Sequence, residues 1–288
     1  TLPVVVYYFN FVPLLGFFYN LILLPVFTVI MVYGFILLIL NPFLHVLLKL
    51  PFKIFDYILH SLRYVIEISD KAAVNGIIFP SMSICHMIFF YLALFFMIYS
   101  HKNKILCKKY GFTAIIGYYT LIYILIPMMD DSLYLNVADV GQGLFTTIRY
   151  KGLNMVYDCG SSSSKNMGEY IALPYLTKRG IRVLDTVFIS HWDDDHYSGL
   201  EDVLNSHIKV GPLYSSKNNE NFHGEVLYAG SKMKYDDNLS MEILWPYKDI
   251  NLNSTNNSSL VLSMKYKNRT ILLPGDIEEE AEYAIYND

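Results

Sequence analysis

The chain has 288 residues, of which 53% are hydrophobic, and a formal net charge of −4 at pH 7. Of its 22 basic and 26 acidic residues, 8 basic and 3 acidic ones lie in residues 1–129, which gives this part a net charge of +5. The remainder has 14 basic and 23 acidic residues and a net charge of −9. This division predicts a membrane region over residues 1–129 and an acidic soluble domain over residues 130–288. A net charge of −9 argues against a simple DNA-binding domain, because it repels phosphates.

Three apolar segments in the first part have about the 20 residues that a bilayer-spanning helix needs. They are residues 17–40, 77–99 and 111–129. The chain opens at Thr1 inside a hydrophobic run, without the charged start or the cleavage site of a signal peptide. We therefore expect it to be an internal piece of a longer, multi-pass α-helical membrane protein.

A different pattern separates the first two apolar segments. Polar side chains recur at alternating spacings of 4 and 3 in otherwise apolar sequence, at Lys49, Lys53, Asp56, His60, Arg63, Glu67 and Asp70. A narrow polar stripe of this kind predicts an amphipathic helix that lies in the membrane interface or borders an aqueous cavity. A helix that packs on other membrane helices and turns its stripe to water explains the pattern equally well.

Four lysines crowd the sequence between the second and third segments, at Lys102, Lys104, Lys108 and Lys109. The positive-inside rule places this loop in the cytoplasm, so the last span runs outward. The soluble domain is then expected on the outer face of the cytoplasmic membrane.

After residue 130 the sequence consists of short strand-like runs with interposed helix-like runs. The strand-like runs are residues 133–137, 145–150, 154–157, 184–189, 241–245, 259–266 and 270–273. The helix-like runs are residues 167–179 and 198–205. Residues 215–225, which are rich in asparagine, predict a surface loop.

Residues 190–196, with the sequence Ser-His-Trp-Asp-Asp-Asp-His, follow one of these strand-like runs. Five of the seven side chains are imidazoles or carboxylates, the groups that bind borderline and hard divalent cations. A loop between a strand and a helix can turn several such side chains onto one point, so the pattern predicts a metal site. A solvated acidic turn with two surface histidines is the alternative.

Three further aspartates follow predicted strands and stand close to glycines. They are Asp139 in Asp-Val-Gly-Gln-Gly, Asp158 in Asp-Cys-Gly and Asp276 in Pro-Gly-Asp. Each is an ordinary turn signal when taken alone. Together with the 190–196 loop, they put carboxylates at four strand ends of one domain.

The motifs D-V-G-Q-G, D-x-G, S-H-x-D-x-D-H-x-x-G-L, N-N-x-S-L-V-L and G-D-I-x-x-x-x-E follow one another along the soluble half. In this order they resemble the metallo-β-lactamase-type domain of the ComEC family, membrane proteins of natural competence and DNA internalisation. The membrane half is similar in kind to that family's competence region. The resemblance implies a polytopic α-helical membrane region followed by a four-layer αββα sandwich with a dinuclear metal site at its strand ends.

By position, the resemblance implies that His191 and Asp193 bind one metal, that Asp195 and His196 bind the second, and that Asp276 bridges the two. Asp195 and His196 are the residues expected to matter most for catalysis. Asp139 and Asp158 are expected to orient the metal loop from outside the metal. Asn256 and Ser259 are expected near the metal ligands, in a substrate-facing or hydrogen-bonding role. For Asn256 and Ser259 a strand-start cap is an equally good explanation. Trp192 and Asp194 fill the variable positions of the motif and are expected to face away.

The chain departs from the family pattern in two places. Leu144-Phe145 follows D-V-G-Q-G, where relatives often carry an acidic or small polar residue. A His-His-Gly-Ser segment that completes the family's metal site is expected beyond residue 288. Within the chain, His207 and His223 are possible substitutes, although both stand in an unrelated sequence context.

The implied reaction is hydrolysis of a phosphodiester in single-stranded or otherwise incoming DNA with two divalent cations. The carboxylate at Asp193 hardens the site, which favours manganese or magnesium beside zinc. The implied partners are DNA, the lipid bilayer and other competence proteins. Two alternatives stay open: a DNA-conducting channel whose soluble domain is a catalytically silent scaffold, and a hydrolase of a small ester, thioester or lactam.

Overall fold

The computed structural model describes residues 2–12, 16–71, 76–102, 114–115, 117–125, 129–250 and 254–287. The chain divides into two compact units, Thr1–Phe79 and Pro80–Asp288. The domain division predicted at residues 129 and 130 falls inside the second unit and stays a prediction.

The first unit consists mainly of apolar helices. Its elements are α1 (Leu2–Phe9), β1 (Phe11–Val12), α2 (Gly16–Leu44), α3 (Lys49–Lys71) and β2 (Ile77–Ile78), and the two strands pair antiparallel. Within α2, Leu21–Leu44 is the one helix among the described residues that is both long and apolar enough to cross a membrane.

The amphipathic helix predicted from the polar stripe is confirmed as α3. Two pairs of its polar residues lie one turn apart: Arg63 Nε is 2.7 Å from Glu67 Oε1, and His60 Nδ1 is 3.6 Å from Asp56 Oδ1. All four side chains are exposed, so these pairs contribute little to stability.

The second predicted span, residues 77–99, begins too early. Its first residues form β2, and the helix in this region, α4, covers Ile84–Lys102. The helix begins directly after Ser83, whose hydroxyl accepts a hydrogen bond from His86 N at 3.4 Å, as an N-cap residue does. The described apolar stretch of α4, Ile84–Phe95, is shorter than a span, and 7 of the 19 residues 111–129 lie outside the described residues. The polytopic architecture is therefore not confirmed.

Two β-sheets form the body of the second unit. Its strands are β3 (Leu133–Val137), β4 (Phe145–Tyr150), β5 (Leu153–Cys159), β6 (Val183–Leu184), β7 (Thr186–Ile189), β8 (Lys209–Val210), β9 (Leu213–Ser215), β10 (Glu225–Val226), β11 (Lys232–Lys234), β12 (Leu239–Trp245), β13 (Val261–Tyr266) and β14 (Arg269–Leu273). One sheet has the order β10-β9-β7-β5-β4-β3, and the other has the order β11-β12-β13-β14. The strands from β5 through β7 and β9 to β10 pair in parallel, and the remaining pairs in these two sheets are antiparallel.

Short helices cover the outer faces of the sheets. They are a π-helical turn at Gly168–Ala172, α5 (Leu173–Lys178), α6 (Asp194–Tyr197), α7 (Leu200–Leu204) and α8 (Glu279–Tyr286). On the six-stranded sheet, the Tyr175 ring of α5 contacts Phe145, with 5.2 Å between ring centroids. On the four-stranded sheet, Ala281 of α8 packs with Trp245 and Val261.

The main hydrophobic core lies between the two sheets. Every second residue of β12 is buried, as expected of a strand with one face on the core. All four residues of β7 are buried, as expected of a parallel strand covered on both faces. With helices outside both sheets, the layers follow the predicted αββα order.

The predicted strands agree with the structure to within two residues at their ends, apart from residues 184–189. That run is divided into β6 and β7 at Asp185, whose carboxylate accepts a hydrogen bond from Asn154 N at 2.8 Å. Strands β8 to β11 were not predicted, because runs of two or three residues carry no measurable alternation.

Candidate metal centre

The centre of the site is the loop that joins β7 to α6. The strand ends at Ile189, and Asp193 has extended backbone (φ −98°, ψ 147°) before the helix begins at Asp194. The short turn of α6 carries Asp195 and His196 back toward the strand end. His191 and His196 are 1% and 2% exposed, and their ring centroids lie 4.1 Å apart.

Three side chains of this loop can share one metal ion. His191, Asp195 and His196 each offer a ligand atom, and these three atoms lie within 4.8 Å of one another. Two buried imidazoles beside a carboxylate are a donor set that suits zinc or manganese. The residues present therefore fit a divalent cation.

A further carboxylate faces each histidine. Asp193 Oδ2 lies 3.4 Å from His191 Nε2, and Asp276 Oδ2 lies 3.4 Å from His196 Nε2. Asp276 follows β14, on the other sheet, so the site forms where strand ends of both sheets meet. All five residues that the family motif implies as ligands are thus gathered around the two imidazoles.

Asp158 is the buried group that holds the histidine side of the site. It is the extra residue of a β-bulge between β4 and β5, because Phe145 pairs with Cys159 and Thr146 with Tyr157. Its φ of +58° is in the left-handed region, which aspartate tolerates better than most residues. The bulge turns its carboxylate, which is 0% exposed, toward the metal loop.

The contacts of Asp158 account for its burial. It accepts hydrogen bonds from Ser190 N at 2.6 Å and Ser190 Oγ at 2.7 Å, and its Oδ2 lies 2.8 Å from His196 Nδ1. A carboxylate that accepts the Nδ1 proton leaves Nε2 free to bind a metal. Asp158 therefore lies where it can orient His196.

Ser259 performs a related task on the His191 side. Its hydroxyl lies 3.2 Å from His191 Nδ1 and accepts a hydrogen bond from Asp276 N at 3.1 Å. Ser190, which sequence reasoning missed, lies between the two rings: its Oγ is 3.1 Å from Nδ1 of both His191 and His196. The signal for Ser190 was its place directly before His191, at the end of a buried strand.

The other two residues expected around the metal ligands, Asn256 and Asp139, have different hydrogen-bond partners. The Asn256 amide donates to Glu278 Oε1 at 3.1 Å, in a 3-10 turn before β13, which is closer to the capping explanation. Asp139 is exposed and accepts a hydrogen bond from Gly141 N at 3.3 Å. Neither side chain has a described hydrogen bond to the two histidines.

The Gly-Gln-Gly turn supports the metal loop through its backbone. Leu144 N donates to the carbonyl of Asp195 at 3.0 Å, and Gly160 N donates to the carbonyl of Leu144 at 3.0 Å. Leu144 also packs on the core, and Phe145 is fully buried. The departure from the family pattern at these two positions therefore serves packing.

Burial and neighbouring charges move the pKa values of the two histidines in opposite directions. Burial, followed by the charge of His196, lowers the pKa of His191. Burial also lowers the pKa of His196, but the hydrogen bond to Asp158 and the charges of Asp158, Asp276 and Asp195 outweigh it and raise the pKa to about 9. In the metal-free protein His196 is therefore the protonated member of the pair at neutral pH.

An open cavity of about 350 Å³ leads to the site. Asp195, His196 and Asp276 line it, together with Gly143 and Tyr157.

The two histidines considered as substitutes, His207 and His223, are exposed, and neither belongs to the three-residue ligand group found in the described part of the chain. Asp194 is exposed, as expected, whereas Trp192 packs against other aromatic rings.

Comparison with known proteins identifies both halves of the chain. Residues 138–288 match the family model described as the metallo-beta-lactamase superfamily, and residues 1–104 match the one described as competence protein. The relatives that the chain resembles include ComE operon protein 3, which aligns along the whole chain, Recombination protein 2 and competence protein ComA. The chain belongs to the ComEC family.

Three similar proteins show how far the likeness of this ComEC-family chain extends. Recombination protein 2 of Haemophilus influenzae is 32% identical over 148 residues, which cover 51% of the chain and 18% of the relative. ComE operon protein 3 of Bacillus subtilis is 25% identical over 322 aligned positions, which cover 100% of the chain and 40% of the relative. The metallo-beta-lactamase fold protein YhfI of Bacillus subtilis, a solved structure, is 14% identical with a TM-score of 0.34, and the match covers 50% of the chain and 63% of that structure. The chain spans less than half the length of both curated relatives.

Proposed function

We propose that this chain takes part in DNA uptake across the cytoplasmic membrane and that its soluble domain is a metal-dependent phosphodiester hydrolase acting on one strand of the incoming DNA. The observation that carries the proposal is the pair of buried imidazoles, each faced at Nε2 by a carboxylate 3.4 Å away. Membership of the ComEC family supports the link to DNA uptake.

In this proposal His191 and Asp193 would hold one divalent cation, Asp195 and His196 would hold the second, and Asp276 would contact both. When bound, such cations would supply a hydroxide at neutral pH and would neutralise charge on a phosphodiester. Carboxylates outnumber imidazoles three to two in this set, which favours manganese, with zinc and magnesium as competitors.

The remaining residues of the site have supporting tasks. Asp158 keeps the proton of His196 on Nδ1, and Ser259 holds His191 and the backbone of Asp276 in one arrangement. The open cavity beside Asp195 gives an extended substrate access from solvent. For the membrane part we propose a multi-pass arrangement that leaves the soluble domain on the outer face, supported by the lysines around residues 102–109.

The test compares two neighbouring aspartates of the same loop. Asp195→Asn removes a charged ligand, so manganese-dependent cleavage of single-stranded DNA should fall by a factor of about 100 or more. Asp194→Asn is the matched control: Asp194 is exposed, and its substitution should leave the rate near that of the unmutated chain.

Equal losses in the two variants would refute the ligand assignment. If the unmutated full-length protein cleaves neither DNA nor a small ester with manganese, zinc or magnesium, the hydrolase proposal fails and the scaffold alternative stands. Hydrolysis of a small ester without cleavage of DNA would identify the other alternative.

A further inference from the structure

Three aromatic side chains, Trp192, Tyr197 and Phe222, form a cluster beside the metal centre. Trp192 stands between His191 and Asp193 in the chain, and Tyr197 follows His196 directly. Phe222 comes from the loop between β9 and β10. We call these three residues the aromatic cluster.

The rings of the aromatic cluster have a defined mutual geometry. Trp192 and Phe222 are stacked, with 5.4 Å between centroids and 6° between planes. Tyr197 meets both edge to face, at 5.4 Å from Trp192 and 5.8 Å from Phe222. None of the three belongs to the core between the sheets, and each is partly exposed to solvent.

The indole of Trp192 is fixed before any ligand arrives. Its Nε1 donates a hydrogen bond to the carbonyl of Lys217 at 2.7 Å, so the polar atom of the ring is already satisfied. What the ring offers to a ligand is therefore its apolar, π-rich surface. A rigid aromatic surface binds a flat partner with little loss of conformational entropy.

The charge of the surroundings restricts the kind of partner. Asp193 and Asp194 follow Trp192 directly, and residues 130–288 carry a net −9, so phosphate contacts alone do not attract a polyanion here. Stacking on aromatic rings works without a basic groove, since every nucleobase has a π-face. Lys217, exposed at the edge of the aromatic cluster, supplies a cation for a neighbouring phosphate.

We propose that the aromatic cluster is a base-stacking surface which holds a nucleobase of a single-stranded nucleic acid beside the metal centre, so that a phosphodiester of the same strand reaches the cavity at Asp195. The proposal rests on the proposed function for the choice of a phosphodiester substrate. A double helix is excluded by the same reasoning, because its base faces are covered by neighbouring base pairs. The competing explanation is that the three rings only clamp the 217–222 loop onto the metal loop.

Intrinsic fluorescence distinguishes these explanations. The chain has two tryptophans, and the second, Trp245, is 0% exposed, so a ligand that stacks on the surface quenches Trp192 alone. The 288-residue chain in detergent, with EDTA present to prevent hydrolysis, is titrated with three probes. They are oligothymidylate, an abasic oligodeoxyribonucleotide of equal length and phosphate number, and a duplex.

We expect oligothymidylate to quench the fluorescence and to bind about tenfold or more tightly than the abasic strand or the duplex. Trp192→Ala should weaken binding of labelled oligothymidylate, measured by anisotropy, by about the same factor and should leave abasic binding unchanged. Trp192→Phe keeps a ring, so it should retain most of the affinity while its remaining fluorescence no longer responds. Because this variant preserves the ring packing, it also controls for misfolding of the alanine variant.

Equal affinity for thymidylate and abasic strands would overturn the stacking surface, and so would a Trp192→Ala variant that weakens both probes equally. Hydrolysis separates this result from the fate of the proposed function. Base-dependent binding without cleavage in the presence of any divalent metal refutes the proposed hydrolase and supports the stacking surface. Cleavage of thymidylate and abasic strands with equal KM supports the proposed hydrolase and refutes the stacking surface.

Discussion

Replacing Asp158 by asparagine removes the charge on which the histidine side of the site depends. The carboxylate has three close contacts, with Ser190 N, Ser190 Oγ and His196 Nδ1, at 2.6 to 2.8 Å. An amide offers one acceptor oxygen and an NH2 group, so it cannot accept all three hydrogen bonds, and the donors that face its NH2 group must reorient or change tautomer. A buried polar group left unpaired costs about 1–3 kcal/mol, and more when a charge is involved. We expect the metal-free chain to lose about 3 kcal/mol of unfolding free energy.

The same substitution changes metal affinity through the tautomer of His196. When the side-chain amide of the Asp158→Asn variant donates to Nδ1, the ring proton moves to Nε2, the nitrogen that faces Asp276 at 3.4 Å. A protonated Nε2 cannot bind a metal, so affinity should fall about 10- to 100-fold, the range for groups that orient metal ligands. Competition against a chromophoric chelator measures the affinity for manganese and zinc, and a fluorescence melting curve follows the stability.

Asp139→Asn is the matched control, because Asp139 also follows a strand but is exposed and bonds only to Gly141 N among the contacts described for it. Its effect on both quantities should stay within about 0.5 kcal/mol. Similar losses in the two variants would refute the assignment of Asp158 as the residue that orients His196. An unchanged metal affinity in Asp158→Asn would do the same.

Three further predictions concern pH, packing and topology. The raised pKa of His196, about 9, means that its protonated pair with Asp158 stabilises the metal-free chain fully below pH 6.5, and that this stabilisation is lost as the pH rises through 9. Because metal must displace that proton, metal affinity should rise by about tenfold per pH unit between pH 6.5 and 9. A metal affinity that does not change with pH contradicts this. Gly160→Ala should abolish metal binding, because a Cβ at Gly160 meets the backbone of Asp195 and His196. Gly152→Ala should cause only mild strain, because a Cβ there meets no atom within 4 Å. Circular dichroism measures the folding of the two variants and the chelator assay their metal binding, and metal binding by Gly160→Ala disproves the tight contact. A cysteine at Asn218, in the exposed loop after β9, should react with a membrane-impermeant reagent on intact cells, and labelling only after lysis would reverse the proposed topology.

The proposed ligand positions could be read from the sequence because coordination chemistry restricts such positions to a few residue types. Four of the five lie within six consecutive positions, and a strand followed by a short turn suffices to gather them. Asp276 was predictable because a Pro-Gly-Asp turn after a strand puts its carboxylate at a sheet end. The membrane half was harder, since apolar composition alone does not reveal that α4 begins only at Ile84, after the cap at Ser83.

The sequence did not distinguish the buried Asp158 from the exposed Asp139, because both stand at strand ends close to glycine. The difference arises from a bulge, which depends on the register between β4 and β5 and so on residues in two separate strands. The same limit applies to Trp192, whose main partner, Phe222, is 30 positions away along the chain. A position between metal ligands is free of the demands of coordination, so its side chain can be chosen for the substrate. This freedom makes Trp192 uninformative as a position of the motif, although in the proposed stacking surface it is the residue that contacts the nucleobase.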